Sequence, residues 1–167
     1  MIILLMGVSG VGKTTIGEAL ARQLHWRFVD ADEFHSTASK AKMHAGIPLD
    51  DADRAPWLQV LHVAIEGWIS KGESVVLACS ALKAAYRRQL VVAPEVKRVF
   101  LRADFDVVSE RLAERHGHFM DPALLQSQFD TLETPTDGIT IDASKTVPEI
   151  VADICSQLGV GAPVNPP

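Results

Sequence analysis

Eight residues near the start of the chain, Gly7-Val8-Ser9-Gly10-Val11-Gly12-Lys13-Thr14, satisfy the spacing G-x-x-x-x-G-K-[ST]. The run before them, 2–6, is apolar and rich in isoleucine, and the run after them repeats apolar residues at Ile16, Ala19, Leu20 and Leu24, a helical interval. A strand, a glycine-rich loop and a helix in that order bring successive backbone N–H groups together at the positive end of the helix, where an anion is bound. Lysine and a hydroxyl at the last two motif positions specify the anion further. Lys13 is placed to reach the β- and γ-phosphates of a nucleoside triphosphate, and the Thr14 hydroxyl to hold Mg²⁺. The expected nucleotide contacts of the loop are therefore Gly7, Ser9, Gly10, Val11, Gly12, Lys13, Thr14 and Thr15.

The rest of the chain agrees with that start. Further short strands are predicted over 27–30, 74–79, 98–101 and 139–142. Between them run helical stripes: Trp57, Leu61, Ala64, Ile65 and Trp68; Val107, Val108 and Leu112; Val147, Ile150, Val151, Ile154 and Leu158. Alternating strands and helices imply an α/β P-loop fold, a five-stranded parallel sheet with helices on both faces and ligands at the carboxyl ends of its strands. With 167 residues, 47% of them hydrophobic, the chain suits a single domain over 1–158, followed by a tail, 159–167, whose glycines and prolines favour fraying.

Charge and cysteine content exclude several classes. A net charge of −5 disfavours nonspecific nucleic-acid binding and anionic membranes. The opening uncharged run, 1–12, is too short for a membrane span and has no basic flank, so neither signal peptide nor anchor is expected. Cys79 and Cys155 are far apart and form no metal-ligand pattern, which suits a reducing, cytoplasmic setting.

The phosphate loop alone leaves the acceptor open. The only asparagine is Asn165 in the tail, so neither an Asn-Lys-x-Asp guanine-reading motif nor the metal-binding asparagine of a protein-kinase catalytic loop is present. No apolar strand ends in Asp-Glu; the third ends in Cys79-Ser80. The carboxylates must come from Asp30-Ala31-Asp32 at the tip of the second strand, where residues two apart share a face. Asp30 is assigned to the metal, through water, and Asp32 to the proton of the attacking hydroxyl. Lys83, Tyr86 and Arg87 fall at i, i+3 and i+4 and would share a helical face. The tryptophans read as core residues, Trp57 being the exception through its place in the Gly46-to-Leu58 segment of the resemblance given below, and His25, His44 and His62 as structural.

Beyond the loop, further segments occur in order: Asp30-x-Asp32-x-x-His35, Lys42-Met43, Gly46-x-Pro48-Leu49-x-Asp51-x-Asp53-Arg54-x-Pro56-Trp57-Leu58, Cys79-Ser80-Ala81-Leu82-Lys83-x-x-Tyr86-Arg87, Arg111-x-x-x-Arg115-x-Gly117-His118-Phe119 and Gln128-Phe129-x-x-Leu132-Glu133. On these the chain resembles the bacterial-type gluconokinases, in the shikimate-kinase and adenylate-kinase-like branch of small P-loop kinases. Family members often carry Asp-Gly-Asp and His-Pro where this chain has Ala31 and Ser36.

The resemblance implies phosphorylation of D-gluconate at its terminal hydroxyl by ATP and Mg²⁺, giving 6-phosphogluconate and ADP, in a homodimer. It implies a substrate-covering segment over about 31–72 and a mobile lid over about 115–135. The implied substrate residues are Asp32, His35, Lys42, Arg54, Lys83, Arg87 and His118; Lys13, Asp32 and Arg115 are implied to be catalytic, with Arg111 and Arg115 on the phosphates. By analogy, 142–147 flanks adenine without a declared side chain. The competing readings are a shikimate-kinase-like enzyme and a nucleotide-binding regulator without turnover.

Overall fold

The computed structural model describes residues 1–114 and 122–161. Its strands are β1 (Ile2–Met6), β2 (Arg27–Asp30), β3 (Val75–Ala78), β4 (Val96–Arg102) and β5 (Ile139–Asp142). The helices are α1 (Lys13–Leu24), α2 (Thr37–His44), α3 (Asp51–Ser70), α4 (Ala84–Leu90), α5 (Phe105–Glu114), α6 (Pro122–Thr131) and α7 (Val147–Leu158), with a 3-10 turn at Ala31–Phe34. The strands form one sheet in the order β2-β3-β1-β4-β5, all neighbours parallel. The predicted α/β fold is thus the observed one.

Burial explains why β1 and β3 read as unbroken apolar runs: every residue of both is buried, because helices cover both faces of a parallel sheet. Alternation still sorts the side chains. Ile3, Leu5 and Val76 face the α1 and α7 side with Leu20 and Ile154. Ile2, Leu4, Val75 and Leu77 face the α3 side with Leu61 and Ile65. Close packing of α1 on the first side requires Gly17, where a Cβ would stand 2.5 Å from Phe28 Cε2.

Local sequence sets several helix ends. Asp50 and Asp53 form a reciprocal capping box at the start of α3, and Thr146 and Glu149 form another at α7. Helix α2 is capped by the Ser36 hydroxyl, which accepts from Ser39 N–H. Strand β4 is longer than the predicted 98–101, because the whole length of β1 pairs with it from Ile2↔Val96 to Met6↔Phe100. Chain order reverses at β1, between β3 on one side and β4 on the other, and the loop after β1 opens at that switch point. Among the described residues no helix is long and apolar enough to cross a membrane.

Candidate active site

The loop between β1 and α1 has the backbone its glycines predict. Gly7 and Gly10 have φ of 150° and 82°. A Cβ on Gly7 would lie 2.9 Å from the Leu101 carbonyl oxygen, and one on Gly10 would lie 2.8 Å from Leu112 Cγ. The close approach leaves no room for larger residues. Lys13 folds back over the loop and donates from Nζ to the Gly7 and Val8 carbonyls at 3.0 and 2.9 Å. Burial lowers its pKa, with the Asp32 carboxylate as the strongest opposing influence.

At the tip of β2 one carboxylate joins the phosphate loop's helix to the turn that follows the strand. Asp30 Oδ2 accepts from the Thr14 hydroxyl at 3.3 Å, while its Oδ1 accepts from Asp32 N–H at 3.0 Å. This pairing fits a cation held by the Thr14 hydroxyl with waters ordered by Asp30, since Mg²⁺ retains several waters and takes few protein ligands. Asp32 has 69% of its side chain exposed, open to the cleft. Its pKa is raised, first by restricted solvation between the cleft walls and then by the like charge of Asp30; Lys13 and His35 oppose the shift.

His35 lies behind Asp32, its Nε2 3.8 Å from Oδ1. The ring stacks on Trp57 at 4.4 Å between centroids and 12° between planes, and Trp57 Nε1 donates to the Ala31 carbonyl at 2.7 Å. His35 Nδ1 is buried and has no hydrogen-bond partner among the described residues. Burial lowers the His35 pKa, with Asp32 opposing, so the ring favours its neutral form.

These groups open onto a single cavity of about 500 Å³, bounded by the phosphate loop, the β2 tip, Arg54, the turn after β3 and Gln128 of α6. Lys13 and Asp32 both line it. So do Ser9, Gly10, Gly12, Thr14, Asp30, His35, Arg54 and Trp57. Gly7 and Val11 shape the loop from behind, and Thr15 is on the exposed first turn of α1. Arg111 approaches the same loop, donating to the Val11 carbonyl at 3.4 Å. Arg115 and His118 lie outside the described residues.

The remaining predicted cations are placed differently from Arg54. Lys42 Nζ is bonded to both Asp53 oxygens, at 2.7 and 2.8 Å, and Lys83 Nζ to both Asp51 oxygens, at 2.7 and 2.9 Å. Tyr86 also donates its hydroxyl to Asp51. These bonds raise the pKa values of both lysines and lower those of both aspartates. Neither lysine lines the cavity, whereas Tyr86 does. Arg87 is turned away altogether: only 6% exposed, it donates from one nitrogen to the Ala81 and Leu82 carbonyls at 3.0 and 2.8 Å. Of the shared face predicted for Lys83, Tyr86 and Arg87, the first two do meet, both on Asp51 with Lys83 Nζ 5.6 Å from the Tyr86 ring centre, while Arg87 points inward; Lys83 has extended backbone angles, φ −90° and ψ 144°, and α4 starts after it.

Several lining residues were not singled out by the sequence. Gln128 Oε1 accepts from Ser9 N–H at 2.7 Å, and its Nε2 donates to the Ser9 hydroxyl at 2.9 Å, fixing α6 to the phosphate loop. Its position in the Gln128-to-Glu133 segment was the available signal. Lys40 and His44, the latter expected to be structural, line the cavity from α2, a helix with no periodic apolar stripe to announce it. Cys79 forms part of the wall as an uncharged thiol, its pKa pushed up to about 12 mainly by burial.

The AAA-domain family profile matches residues 2–135. A probable gluconokinase of Mus musculus is 42% identical, over 94% of this chain and 97% of its own. The thermoresistant gluconokinase of Escherichia coli K12 is 40% identical over 90% of this chain and 89% of its own. Among solved structures, a gluconokinase from Sinorhizobium meliloti 1021 superposes with a TM-score of 0.84 at 41% identity, covering 94% of this chain and 90% of that one.

Proposed function

The chain belongs to the gluconokinases, within the wider AAA-domain family, and on that premise we propose that it transfers the terminal phosphoryl group of ATP to the 6-hydroxyl of D-gluconate. The observation that carries this reading is the opening of Lys13 and Asp32 onto one cavity, with the Thr14–Asp30 pair between the phosphate loop and the β2 tip.

Asp32 receives the hydroxyl proton as the substrate oxygen bonds to phosphorus and the bond from phosphorus to the ADP oxygen breaks. Its raised pKa makes it a better proton acceptor than an ordinary aspartate once ionised. Lys13 exchanges the loop carbonyls for phosphate oxygens, and Arg111, already at the loop, adds positive charge from α5. Arg115 has the same role in the family reading. Mg²⁺, when bound, neutralises charge on the β- and γ-phosphate oxygens, and Thr14 and Asp30 would hold it, Asp30 through water.

On the acceptor side Arg54 supplies the cation for the gluconate carboxylate, because it is the predicted substrate arginine that lines the cavity. His35 and Trp57 form a flat wall against the carbon chain. Lys42 and Lys83 act through Asp53 and Asp51, holding the start of α3 that carries Arg54. His118 completes the acceptor contacts in the same reading. The substrate-covering segment is about 31–72 and the lid about 115–135. The enzyme is a cytoplasmic homodimer, a state that sedimentation of the purified protein checks.

ADP release measured with Mg²⁺ and ATP against gluconate, other sugar acids, shikimate and no acceptor tests the activity. Gluconate-dependent release is expected. Release with shikimate alone, or ATP binding with no acceptor-dependent release, would overturn the reading.

A further inference from the structure

The turn between β3 and α4 carries a backbone conformation that its sequence does not favour. Ala81 has φ of 41°, in the left-handed region that L-residues rarely adopt, yet it is only 2% exposed and lines the cavity with Ser80 and Leu82. A glycine there would carry no steric penalty. Four hydrogen bonds hold the turn instead. Arg87 donates to the Ala81 and Leu82 carbonyls at 3.0 and 2.8 Å; Glu133 N–H donates to the same Leu82 carbonyl at 3.0 Å; and the Glu133 carboxylate accepts from Ala84 N–H at 2.6 Å. A weaker link joins the turn to the phosphate loop, from Gly7 N–H to the Ser80 carbonyl at 3.4 Å.

We propose that Arg87 is a positioning residue, whose buried guanidinium bridges two consecutive carbonyls and holds Ala81 left-handed, fixing the wall of the acceptor pocket formed by residues 80–82. Glu133 ties the same turn to the chain leaving α6. Arg87 reaches the acceptor only through this turn, since it lies behind the wall rather than in the cavity. The identity of the acceptor rests on the gluconokinase reading above; the control of the turn by Arg87 does not.

The test compares Arg87→Met, Arg87→Lys, Ala81→Gly and the double variant Arg87→Met/Ala81→Gly by steady-state kinetics and by amide hydrogen exchange across 79–84. Arg87→Met is expected to raise the gluconate KM by about tenfold, with the ATP KM within about twofold, and to speed exchange in the turn. Adding Ala81→Gly is expected to recover about threefold or more of the lost KM, because glycine takes positive φ without the tether. Should Arg87→Met fail to fold, Arg87→Lys with and without Ala81→Gly gives the same comparison at smaller amplitude.

No recovery by Ala81→Gly, together with loss of discrimination between gluconate and uncharged sorbitol as competing ligands, would overturn the proposal in favour of a direct carboxylate contact. Unchanged exchange in the turn would overturn it as well. If wild-type protein releases no ADP with gluconate, the functional reading fails, while the exchange data still decide the role of Arg87.

Discussion

The two halves of the cleft are built by different means. The phosphate side is backbone: a loop whose glycines pass against Leu101 and Leu112, rooted in β1, whose residues are all buried. The side proposed for the acceptor is held largely by side chains: Lys42 with Asp53, Lys83 and Tyr86 with Asp51, and Arg54 between them on the first turn of α3. A phosphate group is the same in every nucleotide, so a fixed cradle of N–H groups suffices for it. A polyol acid is recognised by charge and hydroxyl pattern, which paired side chains can match. On the proposed reading the donor half depends on the shape of its backbone, and the acceptor half on its paired side chains as well as on the turn at 80–82.

Substitutions rank themselves along this contrast. Asp32→Asn, at the junction of the halves, is expected to lower kcat by about 10²–10⁴-fold with little change in the ATP KM, as read by steady-state kinetics. The same variant is expected to have a higher Tm at neutral pH. The sign follows from the raised Asp32 pKa: the native state favours the protonated form, so stability is greatest below the unfolded-state pKa and is lost as pH rises through the folded one. The pH profile of kcat/KM should accordingly lose activity on the acid side at a pH above the ordinary aspartate range, a limb absent from the residual activity of Asp32→Asn.

Lys13→Ala is next, an expected loss of about 10²–10³-fold in kcat that sits wholly on the donor side and leaves gluconate binding measurable by calorimetry. Gly10→Ala should damage the ATP KM more than the gluconate KM, because the added methyl meets Leu112 under the loop. Asp51→Asn is expected to raise the gluconate KM several-fold, about threefold to tenfold, by releasing Lys83 and Tyr86 together. Lys42→Met is the smallest, within about threefold in gluconate KM, since a half-buried pair whose lysine still reaches solvent contributes little beyond local order. A larger effect on the ATP KM than on the gluconate KM in either of the last two would erase the distinction between the halves.

The glycine-rich loop between β1 and α1 was legible in the sequence, for a physical reason: a loop that must bring N–H groups against phosphate needs glycines at fixed spacing, and spacing is visible. Strands β1, β2 and β5 have the predicted bounds because apolar runs between turn residues mark buried parallel strands. The acceptor half was legible in its residue types but less in their partners. Helical counting placed Arg87 beside Lys83, whereas the chain is still extended at Lys83 and the helix turns Arg87 inward. Pairings across 32 positions, as between Asp51 and Lys83, leave no local trace. Helix α2 was missed because its polar residues carry no apolar stripe, and its contribution of Lys40 and His44 was missed with it.

One consequence of the β2 tip concerns coupling. Because Asp30 engages the Thr14 hydroxyl with one oxygen and the Asp32 amide with the other, a displacement on either flank travels through a rigid, planar group only a few atoms wide. On the roles proposed above, the cation and the proton acceptor are coupled through this one group: whatever shifts Asp30 when the charge arrives also shifts the amide of Asp32.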